Sequence, residues 1–346
     1  MKLIKKVRLK LHNGKKKVAR ISGNVAVKVK FWANVHYLLI DLSLYREMHG
    51  INSGIIAHRK RTIDGNTSFL RRCIHRIEKG LSSKNRRKKF AEQYILDAVI
   101  AFKKEFESKG FSETINWAYN TFTTYFEEVE HTPQIDKAHK LFDEQIVKLD
   151  TRLIDKREMI RAGMRNDITV TYEDYQSLNL RRRSVRSYKN QPVERDKIEK
   201  ALSIALQAPS ACNRQPFSFK IVENKEKLLE VGSLPLGAAT FYEDIPLMVF
   251  AIGDLSAYEY IKDRHIIYVD TGLVVMNFIL ALETLGLSSC VINWPDVKEA
   301  EMKLARSFDL EPHEKCVTCI AVGYADDECY IPLSEKKKVN NVIEYY

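Results

Sequence analysis

The chain has 346 residues, 45% hydrophobic and 29% charged, which excludes a fibrous or wholly disordered polymer and leaves room for one large domain or two ordinary ones. Its formal net charge of +11 sits at one end: residues 1 to 30 hold eleven lysines and arginines and no acid, so residues 31 to 346 are balanced. The basic pI of about 9.2 therefore describes a tail and says little about the folded body.

That tail, residues 1–30, reads either as an arm for anionic lipid, nucleic acid or an acidic polymer, or as a solvated arm with no specific partner. No apolar core followed by a small-residue cleavage site appears, so a secretory signal is not expected. The apolar run 31–45 is too short to span a bilayer and contains His36 and Asp41. It is expected to pack as an ordinary helix, with peripheral contact to a membrane surface as the other reading. Six cysteines (Cys73, Cys212, Cys290, Cys316, Cys319, Cys329) follow no disulfide-framework spacing, which suits a cytoplasmic protein.

Residues 67–79 predict a helix closed by Gly80. Residues 86–109 carry Phe90, Tyr94, Ala98, Ala101, Phe102 and Phe106 at helical spacing, and Gly110 ends the pattern. Two more helices are expected at 112–129 and 134–149, making 31–170 a helical extension. Past Asn179 the pattern changes. A helix at 194–207, strands at 217–222 and 246–252, a long apolar helix at 264–285, a strand at 288–292, a helix at 299–308 and a strand at 316–322 predict an α+β or α/β sandwich over 175–346. Asp270, Asn277 and Glu283 argue against a membrane span for the long helix. Cys316 and Cys319 form a CxxC, but residues three apart on a strand point to opposite faces, and no second pair completes a zinc site, so core cysteines are expected.

The chain has no GxGxxG after a strand, no GxxxxGK[ST], no HExxH and no GxSxG, leaving a Rossmann site, a P-loop, a zincin and an α/β-hydrolase unsupported. Two segments do carry chemistry. Arg181-Arg182-Arg183-Ser184-Val185-Arg186-Ser187-Tyr188 clusters guanidiniums and hydroxyls suited to phosphate, though a solvated basic surface has the same composition. Ala208-Pro209-Ser210-Ala211-Cys212-Asn213-Arg214-Gln215-Pro216 is a proline-bounded loop of amides and hydroxyls, fitting either a planar polar ring system or a plain fixed turn.

Taken together and in this order, RRSVRSY and APSACNRQP resemble the opening of the nitroreductase-like flavoenzymes. IPLMVFAIGD, the helix phrase from Asp270 to Asn277, the ALETLGLSSC stretch, Gly323-Tyr324 and the cluster Lys336-Lys337-Lys338 continue the likeness over about residues 175–346. The resemblance implies a central mixed sheet flanked by helices and a homodimer with FMN at the subunit interface. It implies that Arg182, Arg183, Ser184 and Arg186 hold the phosphate, ribityl chain and pyrimidine edge. Pro209, Ser210, Asn213 and Gln215 of the partner subunit would line the ring, backbone at Ile292 and Asn293 would approach flavin N5, and Lys336 or Lys337 would add to the phosphate site. Residues 253–264 are expected to form a lid, with Tyr258 and Tyr260 able to stack on a substrate or to be ordinary surface tyrosines. His75 and Glu78, one helical turn apart, form either a site or a helix-surface pair.

The implied activity is NAD(P)H-driven, ping-pong reduction of a small-molecule acceptor such as a nitro compound or quinone. Two alternatives stand beside it. One is an FMN enzyme of another reaction, such as dehalogenation or dehydrogenation in a biosynthetic, surface-polysaccharide pathway. The other is a non-catalytic adaptor working through its basic tail.

Overall fold

The computed structural model describes residues 17–40 and 44–346 and shows a helical unit leading into an α+β unit. Residues 1–16 of the basic tail and 41–43 of the apolar run lie outside the described residues. Residues 17–28 are helical. Val29 is extended (φ −123°, ψ 101°) and separates them from the helix Lys30–Val35. Trp32 Nε1 donates to Ser22 Oγ at 2.9 Å and His36 Nδ1 lies 3.0 Å from the same oxygen. Ten residues of one straight helix span about 15 Å, so the two pieces must fold back on each other.

The helical unit comprises α1 (Tyr45–Asp64), α2 (Thr67–Leu81), α3 (Ile95–Lys109), α4 (Glu113–Glu128) and α5 (Pro133–Ile146). Side-chain caps set three of the starts: Asn66, Ser112 and Thr132 accept from the backbone N–H of Phe69, Ile115 and Ile135. α2 to α5 each turn an apolar stripe inward, and Ile74, Ile77, Phe102, Ile115 and Phe122 are fully buried. Gly80 does not cap α2 but lies within it, because a Cβ there would run into the Phe90 ring. The helix expected over 86–109 begins only at Ile95. The stretch before it is irregular, with Ala91 at φ 63°. Phe90 and Tyr94 are held from outside, by Tyr125 Oη donating to the Phe90 carbonyl at 2.6 Å and by the Arg76 guanidinium 3.8 Å over the Tyr94 ring.

The second unit runs α6 (Tyr172–Arg181), α7 (Arg195–Ala205), β1 (Phe217–Val222), α8 (Lys225–Val231), β2 (Leu247–Asp254), α9 (Ile266–Thr284), β3 (Ser288–Asn293), α10 (Lys298–Phe308) and β4 (Glu314–Gly323). The strands lie in the order β1-β2-β4-β3, and every pair is antiparallel. The parallel component of the expected mixed sheet is a single bridge between Ser184 and Ser289. Helices cover both faces. On one, Val274, Phe278 and Leu282 of α9 pack with Ala201 of α7 on Val249 and Ile320. On the other, Leu228 of α8 and Leu304 of α10 pack on Phe250 and Cys319.

The register between β2 and β4 slips at Ala251/Ile252, so that Ala251 faces Thr318 while Ile252 faces Cys316. Val317 is the extra residue of a bulge, and this corrects the expectation that Cys316 and Cys319 point to opposite faces. Both sulfurs enter the same core, 3.9 Å apart. They are free, buried thiols, and among the described residues no cluster of side chains could hold a metal ion.

α1 is one of the elements that join the two units. A Cβ on Gly54 would sit 2.8 Å from the Leu255 carbonyl carbon, so the glycine lets α1 lie directly on the turn Leu255–Ala257. His58 Nδ1 donates to the Ser256 carbonyl at 2.8 Å, and Arg46 pairs with Asp296.

Candidate functional site

The arginine run leaves the end of α6 and lies beside the head of β3. The Val185 N–H donates to the Ser289 carbonyl at 3.1 Å and Tyr188 Oη donates back to the Val185 carbonyl at 2.7 Å. These bonds fix the backbone at Val185, between Ser184 and Arg186. Arg181 pairs with buried Glu283 at 3.4 Å. Among the described residues, the side chains of Arg182, Arg183 and Arg186 make no ion pair. Burial pushes the Cys290 thiol up, against the opposing influence of Arg186, Ser184 and Arg182, so those three side chains share the neighbourhood of Cys290.

Ile292 and Asn293 close the same strand, about 10 Å beyond Ser289 at the usual strand rise. Ile292 is buried and its carbonyl accepts from Thr318 Oγ1 at 2.9 Å, while Asn293 is exposed. One strand thus joins the arginine run to the backbone expected near the ring. Lys336 and Lys337 stand exposed on an irregular tail. Its root is held beside the arginines by the Tyr188–Ala325 bridge and by the Asp326 N–H donating to the Ser187 carbonyl at 3.1 Å.

The proline-bounded loop is strained in a way that composition does not reveal. Cys212, Asn213 and Gln215 have φ of 55°, 50° and 51°, three left-handed non-glycine residues within four positions. Several contacts hold them. Ser210 Oγ accepts from the Gln215 N–H at 3.1 Å, and Asp270 Oδ2 accepts from the Ala211 N–H at 3.0 Å and from Tyr258 Oη at 3.2 Å. The Arg214 guanidinium lies 4.9 Å over the Tyr258 ring. From the helical unit, Arg71 Nε donates to the Asn213 carbonyl at 2.6 Å. Burial raises the Asp270 carboxyl above its ordinary range although these donors and Arg214 oppose the shift. Tyr258 is 2% exposed and belongs to this network, so it is not a platform for a substrate; Tyr260 is exposed.

Within one chain the two segments do not meet. The loop is bonded to Asp270 near the start of α9, whereas the arginine run lies near Glu283 at its end. Thirteen residues of helix separate them by about 20 Å. From beside Asp270 towards Glu283, α9 carries Val269, Leu273 and Met276, all more than 40% exposed, with Gly272 open beside them.

The loop also walls a cavity of about 1200 Å³ against the helical unit. Pro209, Ser210, Asn213 and Gln215 form one side, and Arg71, His75, Glu78 and Trp117 from α2 and α4 face them. Glu78 Oε1 accepts from Trp117 Nε1 at 2.6 Å, and the Arg71 guanidinium lies 5.0 Å over the Trp117 ring. His75 and Glu78 are therefore cavity residues as well as helix neighbours. Arg71, Trp117, Arg214 and Asp270 were not singled out as site residues from sequence. Arg71 stands one turn before His75, which was the only available signal for it.

A model of the nitroreductase family matches residues 180–243 and 228–324. A protein of Archaeoglobus fulgidus, provisionally named NADH dehydrogenase/NAD(P)H nitroreductase, is 33% identical over 155 residues, covering 42% of this chain and 83% of its own. Iodotyrosine deiodinase of Thermotoga neapolitana is 25% identical over 171 residues, 42% of this chain and 86% of its own. Among solved structures, an FMN-dependent nitroreductase from Clostridium difficile aligns with 49% of this chain and 96% of its own, at 24% identity and a TM-score of 0.42. The family match falls on the α+β unit and leaves the helical extension outside. Through its C-terminal half, the chain belongs to the nitroreductase family.

Proposed function

We propose that this chain is the subunit of a homodimeric, FMN-dependent oxidoreductase that uses NAD(P)H to reduce a nitro, quinone or related electrophilic acceptor. One observation supports the reading: the proline-bounded loop and the arginine run are anchored near opposite ends of α9, and the exposed apolar stripe Val269–Leu273–Met276 extends from beside Asp270 towards Glu283. Pairing two copies of α9 head to tail would bury that stripe and bring the loop of one subunit to the arginines of its partner.

The residues fit the group. Arg182, Arg183 and Arg186 make no ion pair among the described residues, as a cradle for a phosphate carrying close to two negative charges requires. Ser184, beside them, supplies a hydroxyl. Lys336 and Lys337, on a tail rooted nearby, are within chain reach of the same phosphate. Pro209, Ser210, Asn213 and Gln215 would present a stiff polar wall to the ring, with Asp270, Tyr258 and Arg214 holding that wall in place. Backbone at Ile292 and Asn293 would complete the ring end. When bound, FMN supplies the hydride chemistry, so the protein's part is binding, orientation and exclusion of water. With no separate nicotinamide fold among the described residues, NAD(P)H and acceptor would use one flavin face in turn, which predicts ping-pong kinetics.

Complementation tests this arrangement. The variant Arg183→Ala/Arg186→Ala and the variant Ser210→Ala/Asn213→Ala should each purify without flavin. Refolded together they should recover flavin, because a mixed dimer contains one site with both halves intact. No recovery in dimers shown to be mixed would refute the two-chain site. Reductive dehalogenation with the same cofactor is the second reading, supported by the similarity to iodotyrosine deiodinase. Halide release from a halotyrosine, without turnover of nitro compounds or quinones, would select it.

A further inference from the structure

We infer that the helical extension is the acceptor-binding module, and that the cavity it forms with the 206–215 loop takes an uncharged or cationic aromatic acceptor and discriminates against anionic ones. The inference rests on the flavin reading above and deepens it by naming the substrate class and the part of the chain that selects it.

The cavity is built rather than incidental. Its floor is a continuous brace in which the Asn213 carbonyl accepts from Arg71, Arg71 lies over Trp117, and Trp117 donates to Glu78. The first member belongs to the loop that would line the flavin, so the floor is fixed relative to the ring. A roof is supplied by the irregular segment after α5, tied down where Asn116 Nδ2 and Asn120 Nδ2 donate to the Asp155 carbonyl at 3.0 and 2.9 Å. Leu153, Met159 and Ile160 on this roof are all more than 45% exposed and face the cavity, an apolar lining for an aromatic body. At about 1200 Å³ the space exceeds what one aromatic ring needs, which leaves room for ring substituents and water.

Charge decides the class. Four carboxylates line the cavity (Glu78, Glu113, Asp155, Glu158) against two guanidiniums, Arg71 and Arg157. Both cations are engaged by the protein itself. Arg71 is committed to the Asn213 carbonyl and to Thr114 Oγ1, and Arg157 pairs with Asp155 at 2.6 Å. Burial holds His75 below its ordinary value, which disfavours its charged form. Among the described residues Glu113 and Glu158 have no ion-pair partner. The cavity therefore presents negative potential to its contents, repelling a carboxylated, sulfonated or phosphorylated ring and favouring a neutral one that stacks and accepts hydrogen bonds.

The test compares 1,4-naphthoquinone with 1,4-naphthoquinone-2-sulfonate as acceptors for the full-length holoprotein. Two net charges near a ring at this depth predict a KM for the sulfonate higher by on the order of tenfold at low salt. The gap should narrow to about threefold or less in Glu113→Gln/Glu158→Gln. Equal KM values in the wild type, or a gap unaltered in a well-folded double variant, would overturn the inference. Quenching of indole emission by naphthoquinone gives a second readout that needs no flavin, and it should diminish in Trp117→Phe. A colourless protein that still shows this Trp117-dependent quenching keeps the cavity assignment and rejects the flavin reading. Quenching identical in wild type and Trp117→Phe overturns the cavity assignment itself.

Discussion

Arg71→Met isolates what the helical extension does for the proline-bounded loop 208–216. Methionine keeps most of the side chain's apolar bulk and removes the guanidinium. Two hydrogen bonds disappear, to the Asn213 carbonyl at 2.6 Å and to Thr114 Oγ1 at 2.9 Å, together with the stack 5.0 Å over Trp117. A bond from a charged donor contributes about 1.5–3 kcal/mol, and a cation–π contact about 0.5–2 kcal/mol. Release of a half-buried charge to water offsets part of this, since burial already lowers the Arg71 pKa. The net expectation is a loss of about 2–3 kcal/mol, which for a unit of this size lowers Tm by about 5–10 °C. Asn213 at φ 50° loses an external anchor, so the loop relaxes and FMN affinity falls with stability. Arg71→Lys, which keeps a charged donor without the planar fork, should fall between the two. Circular-dichroism melts and FMN titration of the apoprotein measure both effects. A Tm within about 1 °C of wild type together with unchanged FMN affinity would show that Arg71 does not brace the loop.

Two further expectations concern Asp270 and Gly54. Burial raises the Asp270 carboxyl above the ordinary 3.8, so the folded state holds its proton more tightly than the unfolded chain does. Its contribution to stability is fully present below that ordinary value and is lost as pH climbs through the raised one. Asp270→Asn should therefore gain in Tm relative to wild type as pH rises from about 4 towards 7, and parallel Tm-versus-pH curves would contradict this. Gly54→Ala places a methyl 2.8 Å from the Leu255 carbonyl carbon, within backbone that cannot yield cheaply. A loss of about 1–3 kcal/mol is expected, with faster amide exchange at Leu255–Ala257; protection equal to wild type would show that α1 does not press on that turn.

Elements dominated by one local signal were legible in the sequence, and those decided by partners were not. β1 was bounded correctly because Pro216 precedes an apolar, aromatic-rich run that stops at Asn224. The long helix was placed within two residues of α9 by apolar continuity alone. Gly80 misled because a glycine at the end of an apolar pattern normally marks a cap, whereas this one makes room for the Phe90 ring ten residues later. α8 was missed since seven residues, Lys225–Val231, give too little periodicity. The Cys316–Cys319 geometry depended on a bulge set by the neighbouring strand, and Tyr258 looked like a surface residue until Asp270, twelve positions on, supplied its acceptor. Both motifs of the site could be read, but their separation along α9 could not, because it is a length in space. The cavity was invisible for the same reason: its walls come from stretches as far apart in the chain as Arg71 and Gln215.

That length has a consequence for how this protein can change. α9 fixes the spacing between the loop at Asp270 and the arginines near Glu283 as rigidly as a gauge block. Deleting one residue from its middle would shorten the span by about 1.5 Å and turn one end through about 100° relative to the other. The stripe Val269–Leu273–Met276 would then break across two faces of the helix. Variation in length should therefore be confined to the connecting segments, leaving the interior of α9 free to exchange side chains and closed to insertions and deletions.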